Sequence, residues 1–202
     1  MTSWLIFAAW TDADAALWNS RWIAEQTARL APSAPIQIER EEAVRGALER
    51  ALDDADLRGI ALFGHGQPHA VMGSDGIAAL DLANVARVGP RWVHAMACNC
   101  GNELVAAAAP HAEVFVGYRV SLIVEWTPED LPNELRDKLA RLVTATTLAL
   151  LEGVRSKTEL MRRASAAADD LIEWLDTNTS DDEYLGLHVF AQQLVDRMVV
   201  SR

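Results

Sequence analysis

Short apolar runs alternate, through residue 118, with segments whose apolar residues recur at helical spacing. Apolar runs bounded by turn residues predict buried strands, and a spacing of three and four predicts amphipathic helices. The predicted strands cover residues 4–9, 36–38, 59–63, 92–97 and 114–118, and the predicted helices cover residues 14–30, 41–52, 79–85 and 103–109. Alternating strands and helices indicate parallel pairing, so we predict a sheet with helices on both faces.

Beyond Trp126 the pattern changes to helical segments without a convincing strand. Three helices are predicted, at residues 129–152, 157–176 and 181–200. No linker composition or internal repeat separates them from the preceding part of the chain. We therefore predict one domain over residues 1–202, with an α/β fold: a three-layer sandwich whose mostly parallel sheet is flanked by helices, with a helical C-terminal third.

Composition narrows the class of protein. The chain has 202 residues, of which 50% are hydrophobic and 23% charged, as in a globular domain with a full core. Its formal net charge of -11 argues against a surface that binds nucleic acid, because such surfaces are basic. The apolar run of residues 4–10 lacks a basic flank and is too short to be a signal peptide or a membrane span. We predict a cytoplasmic protein that binds neither nucleic acid nor membranes.

Two of the predicted strands are followed by side chains that carry chemistry. His65 follows the strand at 59–63, and Cys98 follows the strand at 92–97. If these strands are parallel neighbours, both side chains emerge at the carboxyl edge of the sheet, where open α/β proteins place their ligand crevices. The only other cysteine, Cys100, is too close to Cys98 for an ordinary structural disulfide, which favours a reducing compartment.

Residues 61–66 read Ala-Leu-Phe-Gly-His-Gly, and residues 97–101 read Ala-Cys-Asn-Cys-Gly. In this order and strand context, the two segments resemble the paired motifs of caspase-like cysteine peptidases of clan CD, and the CHAT group most of all. Further similarity downstream extends the resemblance over roughly residues 59–165. The chain departs from caspases proper, because it lacks their Gln-Ala-Cys-X-Gly signature and has fewer than the roughly 50 residues expected between the histidine and the cysteine.

The resemblance implies a caspase-like sheet and a cysteine endopeptidase that needs no cofactor and no metal. Cys98 would attack the carbonyl carbon, and His65 would protonate the leaving amine. The backbone N–H groups of Gly66 and Cys98 would form the oxyanion hole, and a Cβ at Gly66 is expected to obstruct the substrate. The predicted helix beginning near residue 103 is expected to direct its positive end toward the sulfur and favour the thiolate.

The resemblance also implies expectations about the substrate and the partners. By position in the family pattern, Asp12, Asp14 and Glu125 would line the first pocket and favour a basic residue before the cut, whereas Arg119 would favour an acidic one. Small relatives often work in bacterial conflict or programmed cell death, so we expect limited cleavage of a protein or peptide substrate, with an activating partner protein as a further expectation. The alternative is a catalytically inactive binding or regulatory module of the same fold.

The remaining histidine and cysteine candidates each have a structural interpretation. Cys100 has three: packing beneath the loop, oxidation with its neighbour, or the role of nucleophile in place of Cys98. His94 is predicted to be a core or sheet-face histidine with satisfied hydrogen bonds. The single Cys-X-Cys pair does not match the spaced pairs of a structural zinc site, and the chain has no phosphate-binding glycine motif. The edge of the strand at 114–118 is a candidate for pairing with another chain.

Overall fold

The computed structural model of the chain describes residues 3–11, 15–122, 126–180 and 184–201. Short 3-10 turns occur at Arg40–Glu42, Val85–Val88 and Pro128–Asp130. The strands and helices are, in chain order, β1 (Ser3–Ala8), α1 (Ala15–Leu30), β2 (Ile36–Glu39), α2 (Arg45–Leu52), β3 (Leu57–Phe63), β4 (Gly66–Gln67), β5 (Ala70–Met72), β6 (Ala78–Asp81), β7 (Trp92–Met96), α3 (Leu104–Ala108), β8 (Val114–Tyr118), α4 (Asn133–Leu151), α5 (Lys157–Asn178), α6 (Leu185–Asp196) and β9 (Met198–Ser201).

The strands of the described residues form two sheets. The main sheet has six strands in the order β2-β1-β3-β7-β8-β9, and a small sheet has the order β4-β5-β6. All neighbours from β2 to β8 in the main sheet are parallel, and β9 runs antiparallel to β8. The small sheet is antiparallel throughout. The predicted α/β architecture with a mostly parallel sheet is confirmed.

Both faces of the main sheet are covered around its central strands, which explains why β1, β3, β7 and β8 are mostly apolar rather than alternating. In β1, Trp4 and Ile6 contact one core cluster, and Leu5 and Phe7 contact the other. Helices α1, α4, α5 and α6 cover the first face, while α2, α3 and the small sheet cover the second. The main sheet is therefore the middle of three layers.

Most predicted elements are present, with shifts of a few residues at their ends. The strand predicted at 114–118 is β8, and the helices predicted at 129–152 and 157–176 are α4 and α5. The helix predicted at 41–52 starts only at Arg45, because a 3-10 turn precedes it. Residues 181–183, where the last predicted helix begins, lie outside the described residues, and α6 covers the part from Leu185 to Asp196.

The helix predicted at 79–85 is wrong. Its first residues belong to β6, which pairs with β5 in the small sheet. Ala79 and Leu80 are buried in the core on the α2 side, and Arg45 of α2 donates a hydrogen bond to the Asp81 carboxylate at 2.8 Å. The helix propensity of the alanines is small beside this pairing and burial, so tertiary contacts decide the conformation.

The prediction of no strand after Trp126 is also wrong. Residues Met198–Ser201 form β9, which covers the edge of β8 along its full length. Ser201 reinforces the pairing, since its hydroxyl oxygen accepts a hydrogen bond from the Phe115 N–H at 3.0 Å. The β8 edge, considered a candidate for pairing with another chain, is thus occupied by the chain itself.

Candidate active site

His65 and Cys98 lie at the same edge of the main sheet. β3 and β7 are adjacent and parallel, and Phe63 pairs with Met96 at their carboxyl ends. His65 and Cys98 each follow two positions beyond that pair, so the sheet delivers both to one place. The expected parallel pairing of the two strands is confirmed, and with it the common edge from which both side chains emerge.

A cleft of about 160 Å³ opens at this edge, and both His65 and Cys98 line it. Its other walls come from α1, from the ends of β3 and β7, from Leu122 after β8 and from Phe190 of α6. His65 is exposed and Cys98 is half-buried. The cleft therefore places a base and a thiol on a surface that a substrate can reach.

A turn and a neighbouring segment hold Cys98 in place. The Leu122 N–H donates a hydrogen bond to the Cys98 sulfur at 3.3 Å. Two more backbone bonds join the same segments, because Asn99 N–H donates to Val120 O at 2.9 Å and Gly101 N–H donates to Tyr118 O at 2.8 Å. Asn99 has a φ of 60°, a left-handed conformation that asparagine tolerates better than most residues. The chain after β8 thus braces the turn that carries the thiol.

The helix that follows Cys98 does not have the role expected of it. α3 has only five residues, and the N–H groups of Glu103 and Leu104 at its start donate to the Pro68 carbonyl at 2.9 and 3.0 Å. Those donors are therefore engaged with the loop after β4 rather than with the sulfur. The N–H group that does reach the sulfur, that of Leu122, lies far along the chain, where no local pattern indicated it.

The backbone N–H group of Gly66, the residue after His65, points away from the β4–β5 ladder. Gly66 pairs with Val71 between antiparallel β4 and β5, and the Met72 N–H donates to the His65 carbonyl at 2.9 Å. Because His65 and Met72 form a hydrogen-bonded pair, the next pair, Gly66 and Val71, is a non-hydrogen-bonded one. The N–H groups of Gly66 and Val71 therefore point away from the space between β4 and β5. The Gly66 N–H is thus not used by the β4–β5 ladder, as an oxyanion donor requires.

Gly66 also lies directly against the cysteine turn. A Cβ at this position would be 2.2 Å from the Cys98 carbonyl oxygen and 2.7 Å from the Cys98 nitrogen. Only a residue without a side chain allows the two motifs to approach so closely. The glycine was expected to keep the way open for the substrate, but the first group that a side chain would meet is the backbone of Cys98.

Cys100 lies in the core beneath the turn. Its thiol is fully buried and donates to the Ala97 carbonyl at 3.1 Å. Burial raises the pKa of the Cys100 thiol to about 11. Of the three interpretations of Cys100, the geometry favours packing: a buried thiol that holds its proton is a poor nucleophile and does not line the cleft.

His94 is a fully buried member of a hydrogen-bonded network between β7, β8 and α4. Its Nδ1 lies 2.7 Å from the Thr147 hydroxyl and its Nε2 lies 3.0 Å from the Tyr118 hydroxyl. Burial lowers the pKa of His94 to about 3 and raises that of Tyr118. The prediction of a core histidine with satisfied hydrogen bonds is confirmed.

The burial of His94 makes the free energy of unfolding depend on pH. His94 is neutral in the folded protein but titrates near pH 6.5 when unfolded, so the unfolded chain binds the extra proton as the pH falls from 6.5 toward 3. We expect the free energy of unfolding to drop by about 4 kcal/mol over that window on this account. Urea unfolding at several pH values should show a shallower pH dependence for His94→Gln, which retains hydrogen-bonding groups. Parallel curves for the two proteins would contradict the assignment.

Of the residues proposed for substrate selection, the structure describes only Arg119. Asp12, Asp14 and Glu125 lie outside the described residues. Arg119 is exposed and does not line the cleft, and its N–H donates to the Arg197 carbonyl at 3.0 Å beside β9. Sequence reasoning missed the walls supplied by α1, Leu122 and α6, because their apolar residues are not distinguishable from ordinary core positions.

Among the described residues, no group of three or more His, Cys, Asp or Glu side chains is placed to hold a metal ion. Across those residues, too, no helix combines the length and the apolar character that crossing a bilayer requires.

The sheet order and the layered architecture are those of an α/β fold of the caspase-like type. Two solved structures are similar over nearly the whole chain: the Arg-specific cysteine proteinase gingipain R (TM-score 0.57, 12% identity, 98% of this chain) and a complex of the RgpB pro- and mature domains of Porphyromonas gingivalis (TM-score 0.59, 11% identity, 99% of this chain).

This chain covers 45% and 47% of those two chains, a little under half of each. No protein-family model and no curated protein matches the sequence. At 11–12% identity the similarity is one of fold. It supports the predicted caspase-like fold, while the resemblance to clan CD peptidases, and to the CHAT group among them, stays a prediction.

Proposed function

We propose that this chain is a cysteine endopeptidase in which Cys98 is the nucleophile and His65 the general acid and base. The observation that carries the proposal is the delivery of both side chains to one cleft from the ends of adjacent parallel strands. The fold adds support, because two solved structures that are similar over nearly the whole chain are of a cysteine proteinase. Walls of the cleft come from α1 near one end of the described chain and from α6 near the other, in keeping with a single peptidase domain.

The reaction follows from the two side chains. Cys98 gives up its proton to His65, and its thiolate attacks the carbonyl carbon of the peptide bond to form a carbon–sulfur bond. His65 then transfers a proton to the leaving nitrogen as the carbon–nitrogen bond breaks, which leaves an acyl enzyme. Water, deprotonated by His65, attacks the acyl carbon, and cleavage of the carbon–sulfur bond releases the acid and restores the thiolate.

The oxyanion formed in each step needs hydrogen-bond donors. The N–H groups of Gly66 and Cys98 are the proposed donors, which is consistent with a Gly66 N–H that the β4–β5 ladder leaves unused. Loss of one such donor costs about 10²–10³ in rate in other peptidases. Because Gly66 lies against the Cys98 backbone, the two donors and the sulfur form one compact unit.

The biological setting is the less direct part of the proposal. By resemblance to the small caspase-like proteins of the CHAT group, the substrate is a partner protein that is cut at few sites, in bacterial defence or programmed cell death. An activating partner is part of the same analogy. These features rest on the two motifs at residues 61–66 and 97–101.

Intact-mass labelling tests the proposal. Wild-type protein is treated with peptidyl acyloxymethyl ketones that differ in the residue before the reactive group, and we expect one adduct per chain. Cys98→Ala should abolish the adduct. Cys100→Ala is the matched control and should retain it, because the Cys100 thiol is buried and protonated.

Labelling lost in Cys100→Ala and retained in Cys98→Ala would refute the assignment of the nucleophile. If no ketone labels the wild type, and if Cys98 is no more reactive than an ordinary thiol toward iodoacetamide, the binding-module interpretation replaces the peptidase. Thermal unfolding of each variant shows whether a lost adduct reflects chemistry or loss of the fold.

A further inference from the structure

The walls of the cleft around Cys98 are apolar. Besides the small Ala97, five larger apolar side chains of the described residues line it: Leu17 and Ile23 of α1, Met96 at the end of β7, Leu122 after β8, and Phe190 of α6. All five belong to the larger core cluster or pack against it. The cleft is thus an opening in the hydrophobic core, placed next to a nucleophile.

Charge is scarce in these walls. Among the described lining residues, the titratable side chains are His65 and Cys98, both assigned to the reaction. Asn19 is the most polar of the others: its Nδ2 donates to the Trp126 carbonyl at 3.2 Å, and its buried Oδ1, an uncharged acceptor, has no partner among the described residues. Ser20, at the partly exposed rim, adds one hydroxyl group. The described lining therefore contains no carboxylate and no guanidinium group that could pair with a charged substrate side chain.

Aromatic packing stabilises the shape of the cleft. The Trp126 ring contacts Phe190 at a centroid distance of 5.7 Å and Trp22 at 5.6 Å, so the wall formed by α6 is tied to α1 through three rings. Rings packed in this way resist collapse into the opening. The volume of about 160 Å³ is therefore a lasting feature of the fold, and is similar to the apolar cavity of about 150 Å³ that binds benzene in another protein.

We propose that this cleft is the subsite for the residue before the scissile bond, and that it takes an uncharged aliphatic side chain of the size of leucine or methionine. The inference rests on the proposed peptidase function and adds its substrate class. Burial of an aliphatic side chain against these walls is favourable, whereas a cationic or anionic side chain would lose its hydration without a described partner of opposite charge.

This preference differs from that of gingipain R, an Arg-specific enzyme. It also differs from the basic preference predicted from the sequence, which depends on Asp12, Asp14 and Glu125. The same experiment decides between the alternatives, because an arginine substrate is included in it.

The experiment compares ketone probes that share one peptide and differ only in the last residue: Leu, Met, Ala, Arg or Asp. We expect the second-order rate of Cys98 labelling to be at least about tenfold higher for Leu and Met than for Ala, Arg or Asp, because a filled hydrophobic pocket discriminates by about 10–200-fold. An Arg or Asp probe that reacts fastest would overturn the apolar subsite while leaving the peptidase proposal intact.

A pair of variants at the rim tests the cleft itself. Ser20→Asp places a carboxylate at the opening, and Ser20→Asn is the uncharged control of the same size. We expect Ser20→Asp to lower the Leu-to-Arg rate ratio at least about fivefold and Ser20→Asn to leave it within twofold. An unchanged ratio in Ser20→Asp would show that the side chain before the cut binds elsewhere, and would overturn the proposal.

Direct binding separates this inference from the proposed function. Cys98→Ala protein is titrated calorimetrically with the matching peptides, which requires no reaction. Tighter binding of the Leu peptide than of the Arg and Asp peptides supports the apolar subsite even if wild-type protein is not labelled, in which case only the peptidase proposal fails. Equal or absent binding of the Leu peptide, together with no preference in labelling, overturns the subsite.

Discussion

Replacement of His65 by alanine is expected to lower kcat/KM for the best peptide substrate by about 10²–10⁴, with little change in the free energy of unfolding. The loss is large because the leaving amine departs only when it receives a proton, and His65 is the base that lines the cleft beside Cys98. The side chain of His65 is exposed, so its removal takes little packing from the core. Initial rates with a fluorogenic peptide measure the effect.

His69→Ala is the matched control. His69 is exposed, lies in the turn that joins β4 to β5 and does not line the cleft. Its removal should leave kcat/KM within about twofold, as for most surface substitutions away from a site. Equal losses in the two variants, or full activity of His65→Ala, would remove His65 from the mechanism.

Gly66→Ala is expected to reduce kcat/KM by at least about 10²-fold, because a displacement of about 1 Å at a reacting group has effects of that size. The added Cβ would lie 2.2 Å from the Cys98 carbonyl oxygen, so the histidine strand and the cysteine turn must move apart. That movement shifts the sulfur and both proposed oxyanion donors together. Activity assays combined with thermal unfolding distinguish a displaced site from an unfolded protein.

Gly46→Ala provides the comparison. Gly46 lies within α2, where a Cβ meets nothing closer than the Arg50 guanidinium at 3.5 Å. Alanine favours a helix over glycine by about 1 kcal/mol, so this variant should be fully active and slightly more stable. A Gly66→Ala protein as active as Gly46→Ala would show that the two motifs tolerate separation.

Much of the candidate site could be predicted because its signal is local. The strands before His65 and Cys98 are buried on both faces, which requires uninterrupted apolar runs, and each run ends where a polar residue reaches the surface. Parallel pairing then follows from the alternation with helices. Packing of the two motifs against each other was not predictable, since the contact between Gly66 and Cys98 depends on how the strand ends approach in space.

The errors concern elements whose conformation depends on distant partners. β6 has two alanines and a leucine, which fit a helix equally well, and only its pairing with β5 and its packing near α2 make it a strand. β9 follows α6 almost directly, and its valines are compatible with a continuation of the helical pattern. The N–H of Leu122 carries no side-chain signal at all, so its contact with the sulfur was invisible in the sequence.

The late position of β9 has a consequence for the order in which the protein matures. During synthesis the chain makes His65 and Cys98 long before it makes Phe190 and β9. Pairing of β9 with β8 closes a long loop, and the entropy cost of this closure comes before the favourable contacts between the strands. We therefore expect the thiol to be present on the nascent chain before the wall that Phe190 of α6 supplies. If Cys98 is the proposed nucleophile, its cleft is complete only once α6 has packed against the main sheet.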